Sequence, residues 1–532
     1  MEMKRGYAGI LLVICLLIAS ISEVGAATKE NLAEKQILRA GLDAGDLGSL
    51  DPVRGTAGSD VALYDAIYRA LVRFPSGQVT PRKYEPDLAE KWRSSPDGLT
   101  WSFNLRKGVK WHRGFGELTA EDVKFSLERN NHNQAQWRRD YENIKEITIV
   151  DRHTIQITLK KIDPFFLSKL ANWRGGFVLC KKALEGLPKE RFLINPTQSE
   201  IIGTGPFVFE SYTPKDKIIL IRNEDFFLGS PIIERVIFNY MPLMVTRELA
   251  LMKREIDAMF GNANENWVNM MKQRGLVVDA AGPVIGAVLH FNPTLKPLND
   301  VRVRKAICYA IDRNQIVKFL GETITKPMLS PIPNGYYGQT ISGLPTYEYD
   351  PEKAKRLLEE ADLSKGFSLD VFVSQLDWYK DRMIIIQQQL KKVGVNLNLK
   401  TVEHSIYHKN TRSNLSPLVL YAAKRFPTAG IYLQEFYHSS SIVGTPTAVT
   451  NFSHYDKIDN MIDKASLEMD EGKLLGLYHE AQRKIMEDAA AYPIDCQPQI
   501  LARQPYVHLG YELKDSLNYF YQISHDSYIL KP

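Results

Sequence analysis

Apolar residues recur along this chain at two spacings, alternating in some stretches and returning every third or fourth position in others, which predicts a mixed α/β fold. Trp101, Phe103 and Leu105 alternate with Ser102, Asn104 and Arg106 just after Ser95-Pro96-Asp97-Gly98, so a half-buried strand is expected to leave a tight turn there. Ile147 and Ile149, then Ile155, Ile157 and Leu159, flank Asp151-Arg152-His153 and predict a hairpin. Helices are marked at their starts. Thr119 and Asp122 form a capping-box pattern at the head of an expected helix from Ala120 to Asn130, with Asp in place of the usual Glu. Asp300 precedes a stripe of Val303, Ala306, Ile307, Ala310 and Ile311, and Asp350-Pro351 opens another of Ala354, Leu357, Leu358 and Ala361. Between Arg382 and Lys400 a helical pattern gives way to alternating Val395, Leu397 and Leu399, as in an α/β unit. Neither an internal repeat nor a low-complexity linker interrupts these patterns, so lobes joined by short crossings are expected.

The N-terminus departs from this regularity. Lys4 and Arg5 precede an apolar run from Ile10 to Ile18, and Gly25, Ala26 and Ala27 supply small residues where a signal peptidase would cut. The run falls short of the ~20 residues of a membrane-spanning helix, so residues 1–27 are expected to be a cleaved secretory signal and the mature chain to be periplasmic. Cys15 follows Ile14 rather than a small residue, and no lipid anchor is expected. The remainder, about 505 residues, exceeds a single core and requires two or three lobes. Cys180, Cys308 and Cys496 are too few and too widely spaced for a disulfide framework, and read as buried thiols or at most one bridge. The 67 basic and 62 acidic residues are dispersed, for a formal charge of +5, without a polybasic tract. Nucleic acid and anionic membrane surfaces are therefore not expected partners.

Catalytic signatures are missing. The chain has no G-x-S-x-G elbow, no G-x-x-x-x-G-K-[ST] loop and no G-x-G-x-x-G fingerprint, so an enzyme is not expected. His404 and His408 are four apart and would share one helix face. Ser405 stands where a zinc protease would place Glu, and no third ligand lies nearby, so neither a metal nor a cofactor is expected.

The order of short motifs resembles that of the bacterial extracellular solute-binding proteins of family 5, the peptide- and nickel-type periplasmic binding proteins. The resemblance rests on Leu50-Asp51-Pro52, Pro86-Asp87-Leu88-Ala89, Trp92, Trp101-Ser102-Phe103, Gly108-Val109-Lys110-Trp111-His112 and Thr119-Ala120-Glu121-Asp122-Val123. It continues through Ile202-Gly203-Thr204-Gly205-Pro206-Phe207, Glu255-Ile256-Asp257, Asp300-Val301-Arg302, Ala310-Ile311-Asp312-Arg313 and Tyr349-Asp350-Pro351. It implies a type II periplasmic-binding-protein fold, two hinged α/β lobes with an extra subdomain in the first. The expected segments are 28–68 and 198–283 for the first lobe, 69–197 for the added subdomain, 284–490 for the second lobe and 491–532 for a return to the first. Gly203 and Gly205 are read as backbone-conformation positions.

The same resemblance implies the substrate-binding component of an ABC importer. It would be a monomer that captures a small organic solute by hinge closure and meets the membrane only through permease subunits. An oligopeptide, a dipeptide or chelated nickel is the alternative cargo, and a secreted hydrolase on the same scaffold is the alternative class. Peptide-binding relatives place an aspartate in a second-lobe loop to meet the ligand amine, whereas the matching stretch here, Tyr421 to Gly430, holds no acid. An unpaired buried ammonium costs several kcal/mol, so an anionic or non-peptide solute is the sharper expectation. Arg425 is the first candidate to grip it, with Lys424 beside it and Phe426 packed alongside. Trp173 and Arg174, beside two glycines, are read as a stacking plane and a donor fork. Trp137 and Tyr141 are expected on an aromatic wall, Trp378 and His404 in the second-lobe cleft, and Thr56 and Asn264 near the hinge.

Overall fold

The computed structural model describes residues 31–532 except 56–57, 133–134, 187–196, 445–449 and 518. The expected signal segment and Thr56 lie outside the described residues. Each element predicted from periodicity is present. Strand Thr100–Leu105 follows a turn in which Gly98 takes a φ of 70°. It sits in a four-stranded sheet ordered Ala89–Ser94, Thr100–Leu105, Thr154–Leu159, Ile144–Asp151. Helix Ala120–Asn130 starts with the reciprocal Thr119 and Asp122 box, the Thr119 amide donating to Asp122 Oδ2 at 2.9 Å. Asp300 and Asp350 cap helices Val301–Ala310 and Pro351–Glu360 through their side chains. Parallel strands Phe367–Ser374 and Val395–Val402 are joined by helix Asp377–Lys391.

A nine-stranded sheet takes strands from both lobes. Its path is Phe207–Thr213, Lys217–Arg222, Arg235–Tyr240, Ile37–Leu42, Ala258–Phe260, Ala491–Arg503, Val277–Phe291 and Leu418–Ala423, with the short Lys326–Pro327 paired to Ala491–Arg503. The two longest strands cross between lobes. Val277 to Ala281 pair with Arg503 to Gln499, the register breaks between Ala281 and Ile285, and Ile285 to His290 then pair with Gln497 to Ala491. Separate cores flank the crossing, one drawing on residues such as Ala40, Ile67, Val236 and Leu501, the other on Leu289, Ile307, Val371 and Tyr492. A third core, including Phe103, Val123 and Ile157, fills the added subdomain.

Several family motifs turn out to be ties within this architecture. Asp51 is fully buried and pairs with Arg129, and buried Asp87 pairs with Arg69 at 2.9 Å. Gly203 and Gly205 are not at positive φ. What they need is room, since a Cβ on Gly203 would lie 1.8 Å from the Ile67 carbonyl oxygen and one on Gly205 2.6 Å from that of Ala66. Cys180, Cys308 and Cys496 are free and buried, so the one optional bridge is not formed.

At the crossing, Arg382 and Asp495 are both wholly inaccessible to solvent. Arg382 grips the carboxylate with two bonds of 2.8 and 2.7 Å, donates a third to the Trp378 carbonyl at 2.7 Å, and stacks 3.7 Å from the Trp378 ring centre. This fork fastens a second-lobe helix to a crossing strand. Asp495→Ala leaves the guanidinium buried and unpaired, at a cost of about 3–5 kcal/mol. Chemical denaturation should show that loss, with Arg382→Met and Asp495→Leu together restoring much of it.

Candidate functional site

The lobes meet along a cleft in which aromatic rings touch from both sides. Phe426, in the loop that follows strand Leu418–Ala423, packs on Phe74 with ring centres 5.7 Å apart, and Phe165 meets Tyr337 at 6.2 Å. Beside these contacts a cavity of about 490 Å³ takes Asp140, Lys169 and Arg174 from the first side and Phe426, Ile431 and Glu435 from the second.

Lys424 leaves the end of the same second-lobe strand and reaches into the C-terminal tail. Its Nζ donates to Gln499 Oε1 and to the Ser516 carbonyl, both at 2.8 Å, and lies 4.5 Å from the Tyr519 ring centre. Among the described residues, no carboxylate comes within ion-pairing distance of it. Burial pushes its pKa down to about 7, with Asp515 opposing the shift only in part. The ammonium thus makes good hydrogen bonds to neutral acceptors, and the charge that balances it in part, Asp515, stays beyond ion-pairing distance.

Arg425 differs. Its Nε is engaged by Glu435 and its guanidinium lies 5.4 Å from the Phe436 ring. Burial works against its charge, yet Glu435 more than offsets this and holds the pKa above the ordinary value. The expected leading cation is therefore already compensated within the protein, and the uncompensated one is its neighbour.

Arg174 stacks 4.8 Å from Trp137 and 5.6 Å from Trp173, whose rings meet edge to face at 5.0 Å. Trp173 is buried and serves as the support of the guanidinium rather than as an exposed plane. Tyr141 is also buried, and its hydroxyl donates to the Lys169 and Arg174 carbonyls at 3.1 and 3.0 Å, which fixes the loop carrying Arg174. Arg174 and Arg425 both act electrostatically on the Tyr519 phenol, whose pKa burial raises. Three expected cations, Arg174, Lys424 and Arg425, thus act on one tyrosine that sequence reasoning did not single out, with Trp137 and Trp173 packed against the first of them.

The others lie elsewhere. Trp378 Nε1 donates to Gln497 Oε1 at 2.9 Å beside the crossing. Asn264 is an exposed helix cap that accepts from the Trp267 amide at 3.0 Å. His404 bonds Ser374 Oγ at 2.9 Å and contacts Tyr379, Tyr407 and His408, all in the second lobe. The acids missing from residues 421–430 are supplied from outside that stretch. Glu435 lines the cavity one helix further on, and Asp140 faces it from the added subdomain with its pKa raised by burial against the pull of Lys169 and Arg174. No linear spacing could have revealed that meeting.

Comparison with known proteins gives a consistent picture. The model of "Bacterial extracellular solute-binding proteins, family 5 Middle" matches residues 83–443. A dipeptide-binding protein of Escherichia coli K12 is 31% identical over 473 residues, 80% of this chain and 83% of its own. A periplasmic binding protein of A. tumefaciens R10, solved in complex with mannopinic acid, is 37% identical with a TM-score of 0.80 over 93% of this chain and 99% of its own. A periplasmic binding protein from Helicobacter pylori, solved with the peptide STSA, is 27% identical with a TM-score of 0.76, covering 94% and 99%.

The Lys424 contacts set a pH dependence. Solvated, as in an opened cleft, the amine titrates near ~10.4, whereas in the present contacts it does so near 7. Closure of the empty protein is then coupled to proton release: it is most favoured above the higher value, loses ground as pH falls, and levels off below 7. Small-angle scattering of ligand-free protein should give a larger radius of gyration at pH 7 than at pH 10, and Lys424→Met should flatten the difference.

Proposed function

The chain belongs to the bacterial extracellular solute-binding proteins of family 5 and is the substrate-binding component of an ABC importer; from that premise we propose that its cargo is a small organic solute presenting a carboxylate to Lys424 and Arg174. The observation that carries this reading is the Lys424 ammonium, drawn between the lobes with neutral acceptors alone. A carboxylate entering beside it supplies a counter-charge in direct contact, which Asp515 does not, and such a bond in a closed cleft is worth about 1.5–3 kcal/mol. Arg174, held flat on two tryptophans, adds a fork with little rotamer freedom left to lose. A ligand that touches both Arg174 and Lys424 bridges the lobes and stabilises the closed form through contacts the open form lacks. The relative solved with mannopinic acid, an acid by name, is in keeping with this choice.

In this reading the protein is a binder without turnover. It is exported by its N-terminal signal, works as a monomer in the periplasm, and delivers its cargo by docking on permease subunits. A second reading has one observation in its favour: Asp140 and Glu435 line the cavity that Arg174 also lines, and could receive an amine there, as a dipeptide would require.

Mannopinic acid is the first probe. Calorimetry on ligand-stripped protein should give one site per chain, with Kd raised roughly ten- to hundredfold by Lys424→Met and by Arg174→Ala. A bound carboxylate raises the closed-form Lys424 pKa above 7 and removes the proton release that opposes closure, so saturating acid should hold the radius of gyration at its closed value at pH 7 as at pH 10. A radius of gyration that stays larger at pH 7 than at pH 10 with saturating acid, or dipeptide binding that outcompetes the acid, would overturn the carboxylate reading.

A further inference from the structure

His404 and His408 were set aside on sequence grounds for want of a third ligand, but their rings meet in a way the spacing alone did not disclose. Helix His404–Arg412 brings their Nε2 atoms to 3.1 Å from each other, with ring centres 4.4 Å apart. Ser374 Oγ holds the Nδ1 of His404 at 2.9 Å, and Tyr379 and Tyr407 pack on its ring at 5.4 and 6.4 Å. The Nδ1 of His408 is buried with no protein partner, so no hydrogen bond opposes its presenting Nε2 as the free lone pair.

We propose that His404 and His408 form a two-imidazole site for a borderline divalent transition ion, Ni²⁺, Cu²⁺ or Zn²⁺, separate from the cargo cleft. With metal–nitrogen bonds of about 2.0–2.1 Å, donors 3.1 Å apart subtend roughly 95–102° at the ion, between the octahedral 90° and the tetrahedral 109°. No ligand bond need stretch. Binding asks one ring to shift its proton from Nε2 to Nδ1, with none lost, and the His404 Nδ1–H then donates to Ser374 Oγ, the outer bond that commonly fixes a ligating imidazole. Glu403 adds a negative charge one residue away, while its carboxylate caps the helix through the Ser405 and Ile406 amides. Among the described residues no third His, Cys, Asp or Glu completes the set. The ion therefore keeps positions open to water and exchanges freely, unlike a closed structural site.

Calorimetric titration of the whole protein with NiCl₂, CuCl₂ or ZnCl₂ alone, in a non-chelating buffer, should give one ion per chain. His404→Ala and His408→Ala should each weaken it at least tenfold, and Ser374→Ala about tenfold through loss of the orienting bond. With Cu²⁺, electron paramagnetic resonance should show coupling to two imidazole nitrogens, falling to one in either variant. Should an alanine variant misfold by circular dichroism, the spectrum of the wild type still decides. No ion bound, or unchanged affinity in both histidine variants, or a wild-type spectrum without two nitrogens, would overturn the proposal. Mannopinic acid binding should be the same in His408→Ala as in wild type, so either proposal can fail without the other.

Discussion

Everything this molecule can do as a clasp depends on the antiparallel ladder between Val277–Phe291 and Ala491–Arg503. Each strand starts in one lobe and ends in the other, so the lobes are joined by paired strands rather than by loose linkers. Continuity limits how the lobes can separate, because the strands resist stretch and shear far more than bending. The register breaks at Ala281/Ile285, beside Gly282, are where the ladder is locally interrupted. Bending concentrates where hydrogen bonds are already absent, and the bulge next to the cleft is such a place.

Two cations near this ladder, Arg382 buried and Lys424 half-buried, show opposite electrostatic solutions. Arg382 has a carboxylate matched to both arms of its fork and an aromatic face beneath it, so its charge is balanced in every state that keeps the second lobe folded. Lys424 has only a carbonyl and an amide oxygen, and its surroundings depend on the lobes being together. The first arrangement fixes structure. The second makes the energy of one conformation depend on what else is present, which is the property a carrier needs if closing is to report that it is loaded.

How much of this was legible in the sequence follows from the range of the interactions. Caps at Thr119, Asp300 and Asp350, the turn at Gly98 and the strand at residues 101–105 are decided within a few residues, and all were readable. The cluster of Lys424, Arg425, Trp173 and Arg174 was reached through family resemblance. Its internal division, with Arg425 matched by Glu435 and Lys424 unmatched, was not, because the partner ten residues on sits on the next helix. Tyr519, Ser516 and Asp140 lie in stretches without periodicity or motif, brought in only by the tertiary fold. Gly203 shows the same limit in another form. Its smallness was visible, but the reason, an approaching carbonyl from Ile67, is a long-range fact.

That close approach has a mechanical meaning. Residues 203–205 lie against helix Gly58–Ile67, where the Gly205 amide donates to the Ile67 carbonyl at 2.9 Å. On the other side they hold the added subdomain: the Gly203 amide donates to His112 Nδ1 at 3.2 Å and the His112 ring bonds the Gly205 carbonyl at 3.0 Å. Burial holds the His112 pKa near 4, so this staple stays neutral and keeps its proton arrangement across the whole physiological range. The extra subdomain is thereby riveted to its lobe.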